Sequence, residues 1–130
     1  YALHHEQQQD VLKALRQLER ALEQPFDEFL RDSVIQRFEF CYELAWKMLE
    51  LRLQVEGIEA LTPRRVMQES LQAGLIRDGN GWTEIQRYRH LTNRTYDEHL
   101  ADEVYAFIAS RALGLLRELA EEAGPWRATT

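Results

Sequence analysis

Cysteine is scarce in this chain of 130 residues, since Cys41 is the only one. A disulfide framework is therefore excluded, and so is a structural zinc site built on several thiolates. Cys41 lies in a long apolar pattern, where a thiol usually behaves as a small hydrophobe, so we expect it to be buried and unreactive. The sequence also lacks a glycine-rich phosphate loop, which leaves a nucleotide-binding turn without support, and a histidine pair at helical spacing, which leaves a zinc site without support.

Long apolar runs are missing as well. The longest uninterrupted ones cover only a few residues, so the sequence predicts no membrane-spanning helix. Residues 1–10, YALHHEQQQD, lack the charged and apolar regions of a signal peptide, and we expect a cytoplasmic protein. Positive charge is in deficit, because 16 basic residues stand against 22 acidic ones and the net charge is −6. This balance argues against a broad basic surface for nucleic acid, although a local basic site is compatible with it.

Apolar residues at helical spacing dominate what the sequence does contain. Hydrophobic residues make up 45% of the 130 residues, which suffices for a core and predicts one domain over residues 1–130. In residues 33–55, SVIQRFEFCYELAWKMLELRLQV, apolar side chains cover more than one face of a helix. We predict that this helix is the centre of a bundle. Its excess apolar surface predicts a homodimer, with Trp46 buried in the bundle or at a subunit contact.

Capping and breaking residues divide the rest of the chain into further helices. These are placed over residues 3–24, 63–73, 82–92 and 98–123. We expect Asp27 or Asp32 to cap the central helix and Asp97 to cap the last one. Residues 77–81, RDGNG, are predicted as a loop that reverses sharply, and residues 93–96 as a connector. No strand pattern occurs, so the sequence predicts an all-α fold, an up-and-down helical bundle of four main helices plus a short helix.

The segment most typical of a binding site is residues 87–97, RYRHLTNRTYD. It contains three arginines, a histidine and two tyrosines in an otherwise acidic chain. Arginine beside aromatic side chains suits a ligand with phosphate and a base. A structural interpretation is also open, because the helix dipole favours arginines in a last turn and a tyrosine before a cap often packs against the helix.

Carboxylates also lie along the central helix, at Glu39, Glu43 and Glu50. Glu43 stands four residues before Lys47, and we predict an ion pair between them rather than a metal site. The Glu-x-x-His repeats of di-iron bundles are absent. The sequence therefore predicts no metal ligands in this chain.

Three separated motifs carry a family resemblance that extends over almost the whole chain. They are residues 38–47 (FEFCYELAWK), Pro63-Arg64 with residues 73–76 (AGLI), and Trp82 with Arg89 and residues 95–98 (TYDE). In this order they resemble the nucleotidyltransferase substrate-binding subunit family, which belongs to the HEPN superfamily of helical bundles. The resemblance implies a homodimer that works with a small nucleotidyltransferase encoded beside it.

Many HEPN proteins cleave RNA and carry an arginine followed, after four to six residues, by a histidine. In one branch a tyrosine stands two positions after that histidine and is adenylated by the partner enzyme. Arg89 fits the arginine and Tyr96 the tyrosine, but Arg94 occupies the histidine position and His90 directly follows Arg89. Because arginine stays protonated near neutral pH, Arg94 can bind phosphate but cannot act as a general base.

The resemblance therefore implies a substrate-binding, non-catalytic subunit of a two-component nucleotidyltransferase, comparable to toxin–antitoxin pairs. The site residues that it implies are Arg89, His90, Arg94 and Tyr96, which would bind a nucleotide or RNA in a local basic cleft. No cofactor is expected in this chain, since the partner would bind Mg²⁺ and a nucleoside triphosphate. Two alternatives stay open, a HEPN ribonuclease toxin neutralised by its nucleotidyltransferase partner and a helical adaptor without a ligand.

Overall fold

The protein, described here by a computed structural model over residues 2–124 and 126, is built from helices. They are α1 (Ala2–Leu22), α2 (Glu28–Val55), α3 (Pro63–Gln72), α4 (Gly79–Leu91), α5 (Glu98–Phe107) and α6 (Leu113–Ala123), with a 3₁₀ turn at Thr92–Arg94 and a π-helical turn at Ile108–Ala112. No strand occurs within the described residues. The fold is an all-α helical bundle, as the sequence predicts.

Helix α2 is the centre of this bundle, with α1, α3 and α5 packed against it. Asp27 begins it, because its side chain accepts a hydrogen bond of 2.7 Å from the amide of Leu30. The helix therefore starts at Glu28, five residues before the apolar stretch 33–55 begins. Its fully buried apolar residues are Val34, Phe38, Cys41, Ala45, Leu49 and Leu53. Burial of each large apolar side chain contributes about 1.5 to 3 kcal/mol, so this face anchors the fold.

A second flank of α2 is left open in the single chain. Phe40 is 51% exposed. Leu44, one turn further along the same side, is only partly buried at the edge of the core. Trp46 lies on another side of α2 and is also only partly buried, so its burial within the bundle is incomplete.

The start of α4 corrects the predicted loop over residues 77–81. Asp78 caps the helix by accepting a 2.9 Å hydrogen bond from the amide of Gly81, so Gly79, Asn80 and Gly81 form the first helical turn. A Cβ atom on Gly81 would lie 2.9 Å from Cδ1 of Leu115. Glycine is thus needed here for close packing of α4 against α6, whereas the sequence suggested a reversal of the chain.

The π-helical turn at Ile108–Ala112 joins α5 to α6 into one rod. The predicted helix over residues 98–123 thus buries one apolar stripe, since Ala101, Val104, Ile108 and Ala112 are completely buried. On the α5 side, Phe107 stacks on Tyr88 with ring centroids 4.0 Å apart. Past the turn, α6 packs against α1.

None of the described helices combines the length with the apolar composition that a membrane crossing requires.

Candidate functional site

Residues 87–97 form the junction between α4 and α5. Arg89 and His90 lie in the last turn of α4, Arg94 ends the 3₁₀ turn, and Tyr96 precedes the cap of α5. Asp97 is that cap, as predicted, because its carboxylate accepts hydrogen bonds of 2.9 and 3.2 Å from the amides of His99 and Leu100. From here on we call residues 90–97 the connector, a range that includes the predicted connector at residues 93–96.

Arg89 is held at the start of the connector by α2. Its NH1 donates a hydrogen bond of 2.9 Å to Oγ1 of Thr92. The guanidinium also lies 3.6 Å from a carboxylate oxygen of Glu39 and 3.5 Å from one of Glu43. Its Nε is buried without a hydrogen-bond partner among the described residues. Arg89 is thus oriented by two carboxylates rather than turned freely into solvent.

Glu43 has partners that differ from the predicted one. Its carboxylate accepts a 3.1 Å hydrogen bond from Nε1 of Trp46 and faces Arg89, so the predicted ion pair with Lys47 is wrong. Lys47 is exposed and forms no ion pair with the described residues. Glu43 pairs with Arg89 because the tertiary fold brings this residue of α4 next to α2. An exposed ion pair between residues four apart on one helix contributes only about 0.2 to 0.5 kcal/mol, so the pair with Lys47 is easily replaced.

Tyr96 lies at a cleft of about 330 Å³ between the connector and α2. The ring is 82% exposed. Besides Thr95 and Tyr96 of the connector, the cleft is lined by Asp32, Ile35, Gln36 and Glu39 of α2. Glu39 thus faces both this cleft and Arg89, which places Arg89 and Tyr96 on the same side of α2.

The other two predicted residues are exposed. His90 and Arg94 make no hydrogen bond or ion pair with the residues that the structure describes. No arginine lines the cleft itself, whereas Asp32 and Glu39 do. The cleft of a single chain is therefore lined by carboxylates rather than by arginine or histidine, and the positive charge that borders it comes from Arg31, which contacts Asp32, and from Arg89, which contacts Glu39.

A second ion-pair cluster ties the far end of the connector to α2. The side chain of Arg31 is only 4% exposed, and its NH1 lies 2.8 Å from Glu98 and 3.0 Å from Asp102 of α5. Its Nε also contacts Asp32 at 3.2 Å. The hydrogen bonds that Arg31 donates to the carboxylates of Glu98 and Asp102 raise its pKa further above the already high ordinary value, so it stays charged although buried.

Sequence reasoning missed that the polar row on α2 forms one wall of the site. Asp32, Gln36, Glu39 and Glu43 follow one another at intervals of four, three and four residues, the spacing of one helix face. A polar row on an otherwise apolar central helix is the signal that could have identified them. The same face reaches both Arg89 and the cleft.

Other chemistry has no matching group in the described residues. No three histidine, cysteine or carboxylate side chains there are grouped to hold a metal ion. Cys41 is buried as predicted, and burial raises the pKa of its thiol to about 12, so it is protonated near neutral pH.

Comparison with known proteins identifies the family. The family described as nucleotidyltransferase substrate binding protein like has a model that matches residues 6–123. The chain belongs to this family. The match includes both ion-pair clusters and the whole connector.

Two solved structures are similar to this member of the nucleotidyltransferase substrate binding protein like family. A Thermus thermophilus protein is 32% identical, with a TM-score of 0.72 and with 87% of this chain and 94% of that chain covered. A Haemophilus influenzae protein is 29% identical, with a TM-score of 0.78 and coverage of 89% and 98%. The latter structure was described as revealing the fold of a substrate binding domain of a nucleotidyltransferase.

A curated relative carries a different functional name. It is a probable ribonuclease HepT of Haemophilus influenzae, 39% identical over 81 residues, which are 58% of this chain. The match spans 56% of that relative's length. Family membership therefore rests on the match over residues 6–123.

Proposed function

We propose that this chain is the substrate-binding, non-catalytic subunit of a two-component nucleotidyltransferase, paired as in toxin–antitoxin systems in the cytoplasm. A small separate partner would bind Mg²⁺ and the nucleoside triphosphate and would transfer the nucleotide. Family membership and the description of the Haemophilus influenzae structure support this role. The observation that carries it is an exposed tyrosine, Tyr96, at an open cleft beside an arginine that two carboxylates orient.

The side chains divide into a fixed part and a free part. Arg89 is oriented by Glu39 and Glu43, while Arg94 is exposed and makes no ion pair with the described residues, so its guanidinium is available to a phosphate. The Tyr96 hydroxyl forms no hydrogen bond within the described chain, and 82% exposure makes it accessible to a partner's active site. Neither arginine can act as a general base near neutral pH.

A homodimer is part of the proposal. The open flank of α2, with Phe40 exposed and Leu44 partly buried, is apolar surface that a second copy would cover. Phe40 directly follows Glu39 in α2, so such a contact would adjoin the cleft. The second copy could then add its own Arg89 and Arg94 to a shared site.

Co-expression with the proposed nucleotidyltransferase partner tests the proposal. We expect the two proteins to co-purify. With Mg²⁺ and ATP, we expect the Tyr96 oxygen to bond to the α-phosphorus of ATP as the hydroxyl loses its proton and pyrophosphate leaves, and mass spectrometry of the peptide detects the added adenylate. The Tyr96→Phe variant is the matched control, which should bind the partner but gain no mass. If the proteins do not associate, or if wild type and Tyr96→Phe gain the same mass, this proposal is wrong.

The second candidate is a HEPN ribonuclease, which the name of the curated relative favours. Cleavage would need a proton acceptor near Arg89, and position 94 offers arginine instead of histidine. RNA degradation by the purified protein that Arg89→Ala abolishes would establish this activity. A protein that neither cuts RNA nor binds a nucleotidyltransferase would be the adaptor of the third alternative.

A further inference from the structure

A groove between the end of α1 and the beginning of α2 has the chemistry of an anion site. Its volume is about 450 Å³. It is lined by Gln17, Arg20 and Ala21 of α1, by Gln24 just after α1, and by Leu30, Ser33 and Arg37 of α2. It shares no lining residue with the cleft at Tyr96, because residues 33 and 37 lie on a different row of α2 from residues 32, 36 and 39. No carboxylate lines this groove.

The two arginines of the groove are free to bind an anion. Nε of Arg37 donates a 3.1 Å hydrogen bond to Oγ of Ser33, which orients the guanidinium and leaves its two terminal nitrogens unused. Neither Arg20 nor Arg37 forms an ion pair with the described residues. By contrast, seven other arginines of the described chain do: Arg31, Arg52, Arg65, Arg77, Arg89, Arg111 and Arg117. Two unpaired guanidiniums in one concave site stand out in a protein of net charge −6.

Positive charge continues from the groove along α1. Lys13, Arg16 and Arg20 are exposed at intervals of three and four residues, which puts them on one helix face. Neither Lys13 nor Arg16 is ion-paired within the described part of the chain. From Lys13 to Arg20 this strip extends about 10 Å, at 1.5 Å per residue. A ligand with a single phosphate would occupy the groove but leave the strip unused.

We propose that the groove and the strip together bind the phosphates of a single-stranded nucleic acid. Arginine forks bind phosphate oxygens in a bidentate way. The side chains of Gln17, Gln24 and Ser33 supply donors and acceptors for sugar hydroxyls or base edges. This site does not depend on the proposed function, because it uses other residues and requires no nucleotidyltransferase.

Fluorescence anisotropy with a short labelled single-stranded RNA tests the proposal. The full chain with Arg89→Ala and Arg94→Ala is the starting protein, so that the connector cannot contribute. We expect Arg20→Gln with Arg37→Gln to weaken RNA binding about 10- to 100-fold, as expected for lost charge-assisted contacts. The slope of log K against log salt concentration should become shallower by about 1.4, at about 0.7 per phosphate contact.

A matched control removes the same charge from α3. Arg64 is exposed and Arg65 forms a surface pair with Glu69, so Arg64→Gln with Arg65→Gln should change RNA affinity by less than about threefold. Equal weakening by both double variants would show a general charge effect and overturn the site. Unchanged affinity after the groove substitutions would also overturn it.

Two further measurements keep the outcome clear. Lys13→Gln with Arg16→Gln changes only exposed side chains, and we expect it to weaken RNA binding without altering the circular dichroism melting curve. This result would support the site even if the groove variant failed to fold.

A competition assay distinguishes a polynucleotide from a single phosphate group, with AMP and inorganic phosphate as competitors of the labelled RNA. Displacement of RNA by AMP at equal phosphate concentration would mean a single-phosphate site and would contradict the polynucleotide proposal.

Discussion

At the scale of single residues, Arg89 and Arg94 have different environments although both belong to one motif. Arg89 is partly buried, and the Glu39 and Glu43 carboxylates lie 3.6 and 3.5 Å away. Arg94 is exposed at the end of the 3₁₀ turn. The first arginine is therefore positioned by the protein, whereas the second can be exchanged without disturbing the packing.

The substitution Arg94→His tests what position 94 contributes. It restores the arginine-to-histidine spacing of the toxin pattern, and its exposed site should accept the smaller ring. We expect ribonuclease activity that follows the titration of a group with a pKa of about 6.5. The assay is cleavage of labelled RNA from pH 5 to 8.

Arg94→Ala is the control for this prediction. It should weaken binding of an anionic ligand by about 1 to 3 kcal/mol, since one charge-assisted contact is lost, and it should create no cleavage. A folded but inert Arg94→His protein would mean that the site lacks more than the histidine.

At the scale of elements, the beginning of α4 depends on a cap and a close contact. The amide of Gly81 lowers the pKa of Asp78, and Arg111, whose NH2 lies 2.6 Å from the second carboxylate oxygen, lowers it further. The ionised form is therefore favoured in the folded protein. Its contribution to stability is present above the ordinary pKa of an aspartate and is lost as the pH falls through the lowered folded pKa.

Asp78→Asn should reveal this dependence on pH. Asparagine can still cap α4 but carries no charge for Arg111. We expect the wild type to melt at a higher temperature than Asp78→Asn at pH 7, and the difference should vanish as the pH falls below about 4. A difference that stays constant across this range would contradict the lowered pKa of Asp78.

Gly81 and Gly114 form a matched pair for a packing test. A Cβ atom on Gly81 would lie 2.9 Å from the buried Leu115, whereas a Cβ atom on Gly114 would meet nothing within 4 Å. Gly114→Ala should stabilise the protein by about 0.5 to 1 kcal/mol through helix propensity. Gly81→Ala should destabilise it by about 1 kcal/mol, since overpacking of about 1 to 3 kcal/mol exceeds that gain. Urea unfolding measures both, and a stabilising Gly81→Ala would refute the close contact.

Helix positions could be predicted well from the sequence because apolar periodicity and caps are local signals. The predicted caps at Asp27 and Asp97 are confirmed. The prediction for RDGNG is wrong because glycine and asparagine favour turns, whereas Gly81 lies in α4 where an added Cβ atom would come within 2.9 to 3.0 Å of Leu115, Arg111 and Asp78. The π-helical turn at Ile108–Ala112 likewise has no signal in the spacing of apolar residues.

At the scale of the whole molecule, the site could be predicted only in part. The motif places Arg89 and Tyr96 close in sequence, and the fold brings both to one side of α2 through Glu39. The partners of Arg89 could not be predicted, since Glu43 has a local alternative in Lys47 and the choice depends on how α4 packs against α2. Long-range ion pairs of this kind carry no periodic signal.

Phe40→Glu tests the homodimer. A charge at this half-exposed position on the open flank of α2 should prevent burial against a second copy. We expect light scattering at tens of micromolar to give twice the monomer mass for the wild type and the monomer mass for the variant. Leu61→Glu is the control, since Leu61 is 76% exposed but lies outside α2, and this variant should stay dimeric. A monomeric wild type would remove the dimer from the proposal.

The two ion-pair clusters attach both ends of the connector to α2 and so set the length that the connector must span. Arg31 holds the start of α5 through Glu98, and Glu39 and Glu43 hold the end of α4 through Arg89. Along α2, Arg31 lies roughly 12 Å from Glu39 and roughly 18 Å from Glu43, at 1.5 Å per residue. A residue inserted between Arg89 and Tyr96 would have to bulge outwards, since neither end can slide. Exposed side chains between the two clusters, such as that of Arg94, can be exchanged at constant length, whereas Thr92 is buried and accepts a hydrogen bond from Arg89. The spacing of the motif is thus set by its packing against α2, and the residues at its exposed positions can change without altering that spacing.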